Sequence, residues 1–352
     1  FQHALGSMHL MQQAIKTIRD KGNDITAQEE EGVLIAILLH DIGHGPFSHA
    51  LEHSIVAGVH HEQISLLFMH RLNEQYGGKL DLAIAIFKNE YSKKFLHQLV
   101  SSQLDMDRLD YIKRDSYFSG VEDGEIGSER IIKTLNIKND QLVVEAKGIY
   151  SVENYLVSRM SMYCHVYLHR TVLSAEFTLM NILKRAKELA ANGTNVSVNI
   201  NFDKFISNSY YQNDFENLEI LDCFSKLDDV DIMSAIKIWR NHSDLILSRL
   251  CNMMLNRQLL KVDIRNSSFS SDELDAKKSA ILEKNTLTNE QLNYFVFTDS
   301  IKKATYDFKQ DGINVLHKDG SVREISETAD LLNSAGLNGH VEKHYLCYLN
   351  FR

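Results

Sequence analysis

The chain has 352 residues, about two domains of ordinary size, and its 44% hydrophobic and 24% charged residues are the composition of a globular protein with a real core. A net charge of -9 and a pI near 6.0 argue against a general nucleic-acid coat, which carries a basic surface. They leave room for a small anionic substrate, which needs only a local cluster of positive groups.

Residues 3–18 carry apolar positions at helical spacing, and Gly22-Asn23-Asp24 ends that element. Thr26, with Glu29 three residues on, predicts a capping box. The helix it opens runs through Val33–Leu39 and delivers His40-Asp41 at its C-terminal end. Gly43 and Gly45 break the pattern, and Pro46, the one proline of the chain, suits the first turn of a helix to about Glu52. A proline-poor chain suits long helices. Helices are expected at about 61–75, 80–88 and 91–114, then a helix and a short strand, Gln141–Ala146, within 128–149. From Val152 to Ala190 the pattern is helical almost without interruption, a long element able to carry an oligomer contact.

Asn195–Asn201 alternates like a strand, and helices follow at about 214–226 and 230–257. Beyond them come a strand at Leu260–Ile264, a helix at Ser271–Lys284 and a strand at Asn293–Thr298. A hairpin is expected at Asn314–Ile325 around Lys318-Asp319-Gly320. The expected fold class is mainly α: a helical catalytic domain over 1–190, a helical extension over 191–258 and a smaller C-terminal α+β region over 259–352.

No segment approaches the ~20 apolar residues that cross a bilayer, and none reads as a signal peptide. The chain opens at Phe1 rather than Met and enters a helix at once, so further residues are expected before it. Cys164, Cys223, Cys251 and Cys347 lie far apart with no CxxC pair, a pattern of reduced thiols that predicts a cytoplasmic protein.

The chemistry is concentrated around HDIGHGPFSH. A divalent cation takes imidazole nitrogen and carboxylate oxygen and keeps positions open for water and substrate. Adjacent His40-Asp41 at a helix end can present both ligand types to one point, and the same peptide adds His44 and His49. So many titratable groups beside glycines and a proline exceed what core filling explains. The remaining ligands must come from elsewhere. His3, on the first helix, taken alone reads as a buried histidine satisfied by a carbonyl. SSQLDMDRLDYIKRD offers Asp105, Asp107, Asp110 and Asp115 together with Arg108, Lys113 and Arg114, which read equally as a salt-bridged helix face. Spacing alone does not choose among these aspartates.

The ordered set of His3, His40-Asp41 and DMDRLDYIKRD, with HDIGHGPFSH and HEQ between, resembles the HD-domain superfamily. Within it the chain is similar to the deoxynucleoside triphosphate triphosphohydrolases, strongly across about 1–190 and more weakly beyond. The resemblance implies that His3, His40, Asp41 and Asp107 are the metal ligands of one divalent ion (Mn2+, Fe2+, Mg2+ or Zn2+). It places His44, His49 and His61 around the substrate phosphates, with Glu52 and Glu62 supporting the histidines. Arg108 falls where the family contacts the triphosphate, Tyr111 and Asp115 where it contacts the deoxyribose. Tyr167, His169 and Arg170 match a Tyr-x-His-basic element. Two residues depart from the family pattern: Glu52 stands where mammalian members carry aspartate, and Arg108 replaces a lysine, keeping the charge while changing its geometry.

The function that follows is hydrolysis of dNTPs to deoxynucleoside and triphosphate, by metal-activated water attacking the α-phosphorus. His49 or His61 would protonate the leaving 5′-oxygen. The alternatives are the same centre acting on a 5′-nucleotide, a cyclic nucleotide or an alarmone, and a catalytically silent nucleotide sensor. The partners expected are a nucleotide substrate, further copies of the chain in a dimer or tetramer, and a nucleotide effector; no membrane and no extended nucleic acid are expected.

Overall fold

The computed structural model describes residues 1–56, 58–283, 287–304, 306, 312–329 and 340–350. The helices are α1 (Gln2–Asp20), α2 (Ala27–Leu39), α3 (Glu52–Ile55), α4 (His61–Gln75), α5 (Asp81–Phe87), α6 (Lys94–Val100), α7 (Met106–Ser119), α8 (Ser128–Thr134) and α9 (Ile149–Met162). They continue with α10 (Arg170–Ala191), α11 (Ile200–Ser207), α12 (Leu218–Phe224), α13 (Asp229–Trp239), α14 (Leu245–Leu255), α15 (Ser271–Leu282), α16 (Asn289–Leu292) and α17 (Ile325–Thr328). Strands are few: β1 (Leu135–Lys138), β2 (Gln141–Glu145), β3 (Lys261–Arg265), β4 (Phe297–Ala304), β5 (Asn314–Leu316), β6 (Val322–Glu324) and β7 (His340–Tyr348). The fold is mainly helical, with small sheets fed by the C-terminal part of the chain, as expected. No helix of the described residues is long and apolar enough to cross a membrane.

The chain divides into two compact units. The first comprises Phe1–Ile42, Phe68–Tyr167 and Lys303–Val341. Here α1 packs against α2 and α7. Its buried face, Ser7, Met11, Ala14, Ile15 and Ile18, recurs at the three-to-four-residue spacing that puts side chains on one side of a helix. In α2 the residues Gly32, Val33, Ala36 and Ile37 are buried. The predicted capping box is present: Thr26 Oγ1 accepts from the Glu29 N–H, and the Glu29 carboxylate accepts from the Thr26 N–H. This unit also holds a four-stranded sheet in the order β1-β2-β5-β6, in which β2 and β5 run parallel.

The second unit comprises Gly43–Leu67, Leu168–Lys302 and Glu342–Arg352. Its long helix α10 packs against α14, α11 and β3. A three-stranded sheet in the order β3-β7-β4 completes it, with β3 antiparallel to β7.

Several predicted elements are cut by caps that hydrophobic periodicity does not register. The helix expected over 91–114 is two, because Asp105 leaves the helical region to cap α7, accepting from the Arg108 N–H. The run from Val152 to Ala190 is also two helices. A π-helical turn at Tyr163–Tyr167 ends α9, and His169 caps α10 by accepting from the Thr171 N–H. The stretch 230–257 breaks where Asp244 caps α14. Asn195–Asn201 is not a strand: Asn199 caps α11, whose first residue Ile200 faces solvent. Pro46 precedes a 3-10 turn at Ser48–Ala50 and the single-turn α3 rather than one helix to Glu52. Strand β4 starts at Phe297, four residues later than expected, because α16 and its following turn occupy 289–296. Lys284, the expected end of the helix at 271, lies outside the described residues.

Candidate active site

Three helices of the first unit converge on one point. His3 lies at the start of α1, one turn before buried Ser7. His40 ends α2, and Asp41 follows as the backbone leaves the helix. Asp107 is in the first turn of α7, where the helix N-terminus favours a negative charge. One potential ligand atom from each of these four residues lies within 4.8 Å of the others. His3 Nε2 is 2.9 Å from Asp107 Oδ1 and 3.5 Å from Asp41 Oδ2. His40 Nε2 lies 3.4 Å from both Asp41 Oδ1 and Asp107 Oδ1.

Each imidazole is anchored through its other nitrogen. His40 Nδ1 donates to the Ile37 carbonyl at 2.6 Å, and His3 Nδ1 donates to Asp110 Oδ2 at 2.7 Å. Aspartates three apart share a helix face, so Asp107 and Asp110 bracket the two nitrogens of one ring. Arg114 fixes Asp110 with two bonds, Nε to Oδ2 at 2.7 Å and Nη2 to Oδ1 at 2.9 Å. Gly6 makes this approach possible: a Cβ there would lie 2.0 Å from Asp110 Oδ1. Burial disfavours a charged His3, but bonds to Asp107 and Asp110 and the Asp107 and Asp41 charges outweigh it and raise the imidazole to about 10. Burial likewise opposes ionisation of Asp107, and the two histidines override it, holding the carboxyl well below the usual range.

Two imidazole nitrogens and two carboxylates facing one point, with both rings oriented from behind, fit a hard or borderline divalent cation.

Beside this cluster the first unit buries two guanidinium groups. Arg108 pairs with Asp105 through Nη1, so the salt bridge expected of this helix face is real. Arg159, on α9 and only 5% exposed, donates from Nη1 to Gln103 Oε1 at 2.9 Å. The Nε atoms of Arg108 and Arg159 are buried with no hydrogen-bond partner among the described residues. Their charges interact with each other and with Tyr111 and Tyr155. Tyr167 donates to Asp115 Oδ2 at 2.6 Å and meets the Tyr111 ring edge-on.

In the second unit His44, His49 and His61 form their own cluster, with one nitrogen of each within 4.8 Å of the others. His44 stacks on His61 with ring centroids 3.9 Å apart, and His49 meets both edge-on. Glu52 Oε1 accepts from the backbone N–H and from Nδ1 of His61, each at 2.8 Å, and Glu52 Oε2 lies 3.4 Å from His49 Nδ1. Burial would raise Glu52, but these bonds hold it at about 2. Burial and the neighbouring His44 push His49 down, toward the neutral ring. The loop between the histidines is strained: Phe47 and Ser48 have φ of 56° and 45°, left-handed values that side-chain-bearing residues rarely adopt. Gly43 seats its start, since a Cβ there would lie 2.2 Å from the His61 carbonyl.

Of the expected site residues, the structure gathers the four metal candidates, the histidine trio with Glu52, and the Tyr111–Tyr167–Asp115 group. Glu62 is not brought to the histidines: it is exposed on the first turn of α4, and Glu52 fills the supporting role. His169 is exposed and spends its ring on capping α10, with Arg170 exposed beside it. Sequence reasoning missed Asp110 as the anchor of His3, although the three-residue step from Asp107 could have signalled it. It also missed Arg159, which is buried on α9 together with a second charged residue, Glu153, so that charge within an apolar run does not single it out.

A helical scaffold that brings two imidazoles and two carboxylates to one point, with buried arginines in the same unit, has the donor set for a divalent cation and the charge for an anionic substrate. Residues 1–115 match the model of the HD domain, and residues 126–199 that of the HD associated region. The chain is 32% identical to the Bacillus subtilis protein YwfO, over 95% of this chain and 77% of that one. A solved phosphohydrolase from Bacteroides thetaiotaomicron is 48% identical, superposes with a TM-score of 0.94, and matches 99% of this chain and 87% of its own. The Dictyostelium discoideum SAMHD1 homolog, a deoxynucleoside triphosphate triphosphohydrolase, is 29% identical over 53% of this chain and 40% of that protein. The chain belongs to the HD-domain phosphohydrolase family.

Proposed function

We propose that the protein hydrolyses deoxynucleoside triphosphates to deoxynucleoside and inorganic triphosphate. The observation that carries this reading is the pair of buried guanidiniums, Arg108 and Arg159, whose Nε donors have no hydrogen-bond partner among the described residues, in the unit that holds the four metal candidates. A buried unsatisfied donor is costly, and two in one unit suit an anion with several charged groups better than a monoester. The similarity to a SAMHD1 homolog points the same way.

In this reading His3, His40, Asp41 and Asp107 hold a divalent cation, which supplies Lewis-acid polarisation of a phosphate oxygen and acidification of water. Arg108 and Arg159 hold phosphate oxygens. Tyr111, with Asp115 and Tyr167 locked together, receives the sugar. Water adds to the α-phosphorus, the bond to the 5′-oxygen breaks, and that oxygen needs a proton. His61 donates it rather than His49, which burial and His44 hold toward the neutral ring, and Glu52 orients both rings. His44 contributes to the phosphate contacts. His169 and Arg170 have no assigned role. Assembly into a dimer or tetramer belongs to the same reading and is measured by light scattering.

The test is a panel of dNTPs, NTPs, 5′-monophosphates, cyclic nucleotides and a guanosine tetraphosphate alarmone, with products resolved by anion-exchange chromatography. Tripolyphosphate from dNTPs supports the proposal. Single phosphate release, or turnover only of another class, assigns the centre to a different nucleotide, and binding without turnover makes it a sensor. His40→Ala and Asp107→Ala should each remove bound metal and hydrolysis together, whereas Arg108→Ala should chiefly raise KM. A metal-free His40→Ala protein with full activity would refute the ligand assignment.

A further inference from the structure

The two histidines of the metal centre are held in different ways. His40 leans on a main-chain carbonyl, that of Ile37. His3 leans on a side chain, Asp110, whose two oxygens are engaged by Arg114. The arrangement runs guanidinium, carboxylate, imidazole, and then the ligand nitrogen Nε2. Three features show that it is built rather than incidental. Asp110 is itself 9% exposed, so its charge is withdrawn from water and needs both partners. Arg114 lies four residues on, in register to reach it along α7. The facing position on α1 is Gly6, and any side chain there would enter the space of Asp110 and Arg114, with a Cβ 2.0 Å and 2.4 Å from their atoms.

We infer that Asp110 and Arg114 are positioning residues for the metal: they fix the ring orientation of His3 and make its Nε2 a stronger donor, so that metal affinity depends on two residues that touch no metal. A carboxylate behind a metal-bound imidazole fixes its tautomer and raises its basicity, and losing such a partner typically costs ~10–100-fold in affinity. The inference rests on the ligand assignment proposed above. It separates the two anchors, because only the one behind His3 can be deleted by substitution.

The experiment measures the dissociation constant for Mn2+ on the purified full chain, by competition with a fluorescent chelator, alongside circular dichroism and a thermal melt. Asp110→Ala should weaken Mn2+ binding by about 10–100-fold with the helical spectrum intact. Asp110→Asn, which keeps an acceptor for the Nδ1 proton without the charge, should fall between Asp110→Ala and wild type. Arg114→Ala should weaken binding by less than Asp110→Ala does, and should add nothing when combined with it, since Arg114 acts only through Asp110. Should Asp110→Ala fail to fold, Asp110→Asn and Arg114→Ala carry the test. His3→Ala is the control for the underlying reading: if it binds Mn2+ like wild type, the ligand assignment is wrong. If His3→Ala loses Mn2+ while Asp110→Asn and Arg114→Ala bind like wild type, the positioning role is wrong and the assignment stands.

Discussion

Arg159 carries a charge that the fold buries and only partly satisfies, one nitrogen on Gln103 and another left facing no acceptor among the described residues. A lysine there keeps the charge but loses the planar fork that grips two phosphate oxygens at once. Arg159→Lys should therefore raise KM for a triphosphate about tenfold, with metal content unchanged; an unaltered KM takes Arg159 out of the substrate site. The residues legible in the sequence were those that cluster, because HDIGHGPFSH packs ligand types densely enough to announce a centre. His3 and Asp107 became candidates for the same ion only through family resemblance. Nothing local separates Asp107 from Asp110; what does is geometry, one aspartate at each nitrogen of the same ring.

Helix α2 joins a stability device at one end to two proposed metal ligands, His40 and Asp41, at the other. Glu29 is buried and receives the Thr26 N–H, the Tyr91 hydroxyl at 2.7 Å and the Lys93 ammonium at 2.8 Å. Burial alone would raise its carboxyl, but the Lys93, Tyr91 and Thr26 bonds win and hold it at about 2, against 4.5 unperturbed. A depressed folded value means stabilisation fully present above pH 4.5 and lost as pH falls toward 2. It is worth on the order of 3 kcal/mol. Glu29→Gln should lower stability in urea melts at pH 7 and lose much less than wild type between pH 5 and 2; parallel acid profiles would discount the carboxylate. Thr26→Ala removes the other half of the box and should cost about 1 kcal/mol. Most element types were legible, since apolar spacing writes them directly, and four of the errors share one cause. Asp105, His169, Asn199 and Asp244 each end or start a helix through one side-chain bond, which leaves hydrophobic periodicity undisturbed.

Contacts far apart in sequence were out of reach of any local reading. The parallel pairing of Val143–Glu145 with Asn314–Leu316 brings the C-terminal hairpin into the first unit, and both units are assembled from non-contiguous segments. For the whole molecule, a ligand that binds only the folded state adds stability by mass action, about 2.7 kcal/mol at a hundred times its dissociation constant. Saturating Mn2+ should raise the melting temperature of the wild-type chain and leave that of His40→Ala unmoved; equal shifts in both would place the stabilising ion elsewhere.

The turn between His44 and His49 is held under strain. Two successive residues with side chains sit in a backbone region that costs each roughly 1–2 kcal/mol, and such a turn persists only while its surroundings hold it. One restraint is the Phe47 N–H, which donates at 2.7 Å to the Asp229 carboxylate at the start of α13. With Asp229→Ala that restraint is lost, and the turn is expected to relax toward an ordinary conformation and shift the imidazoles it carries. Turnover should then drop severalfold while Mn2+ content stays constant, a defect arising from a surface residue that no motif would nominate.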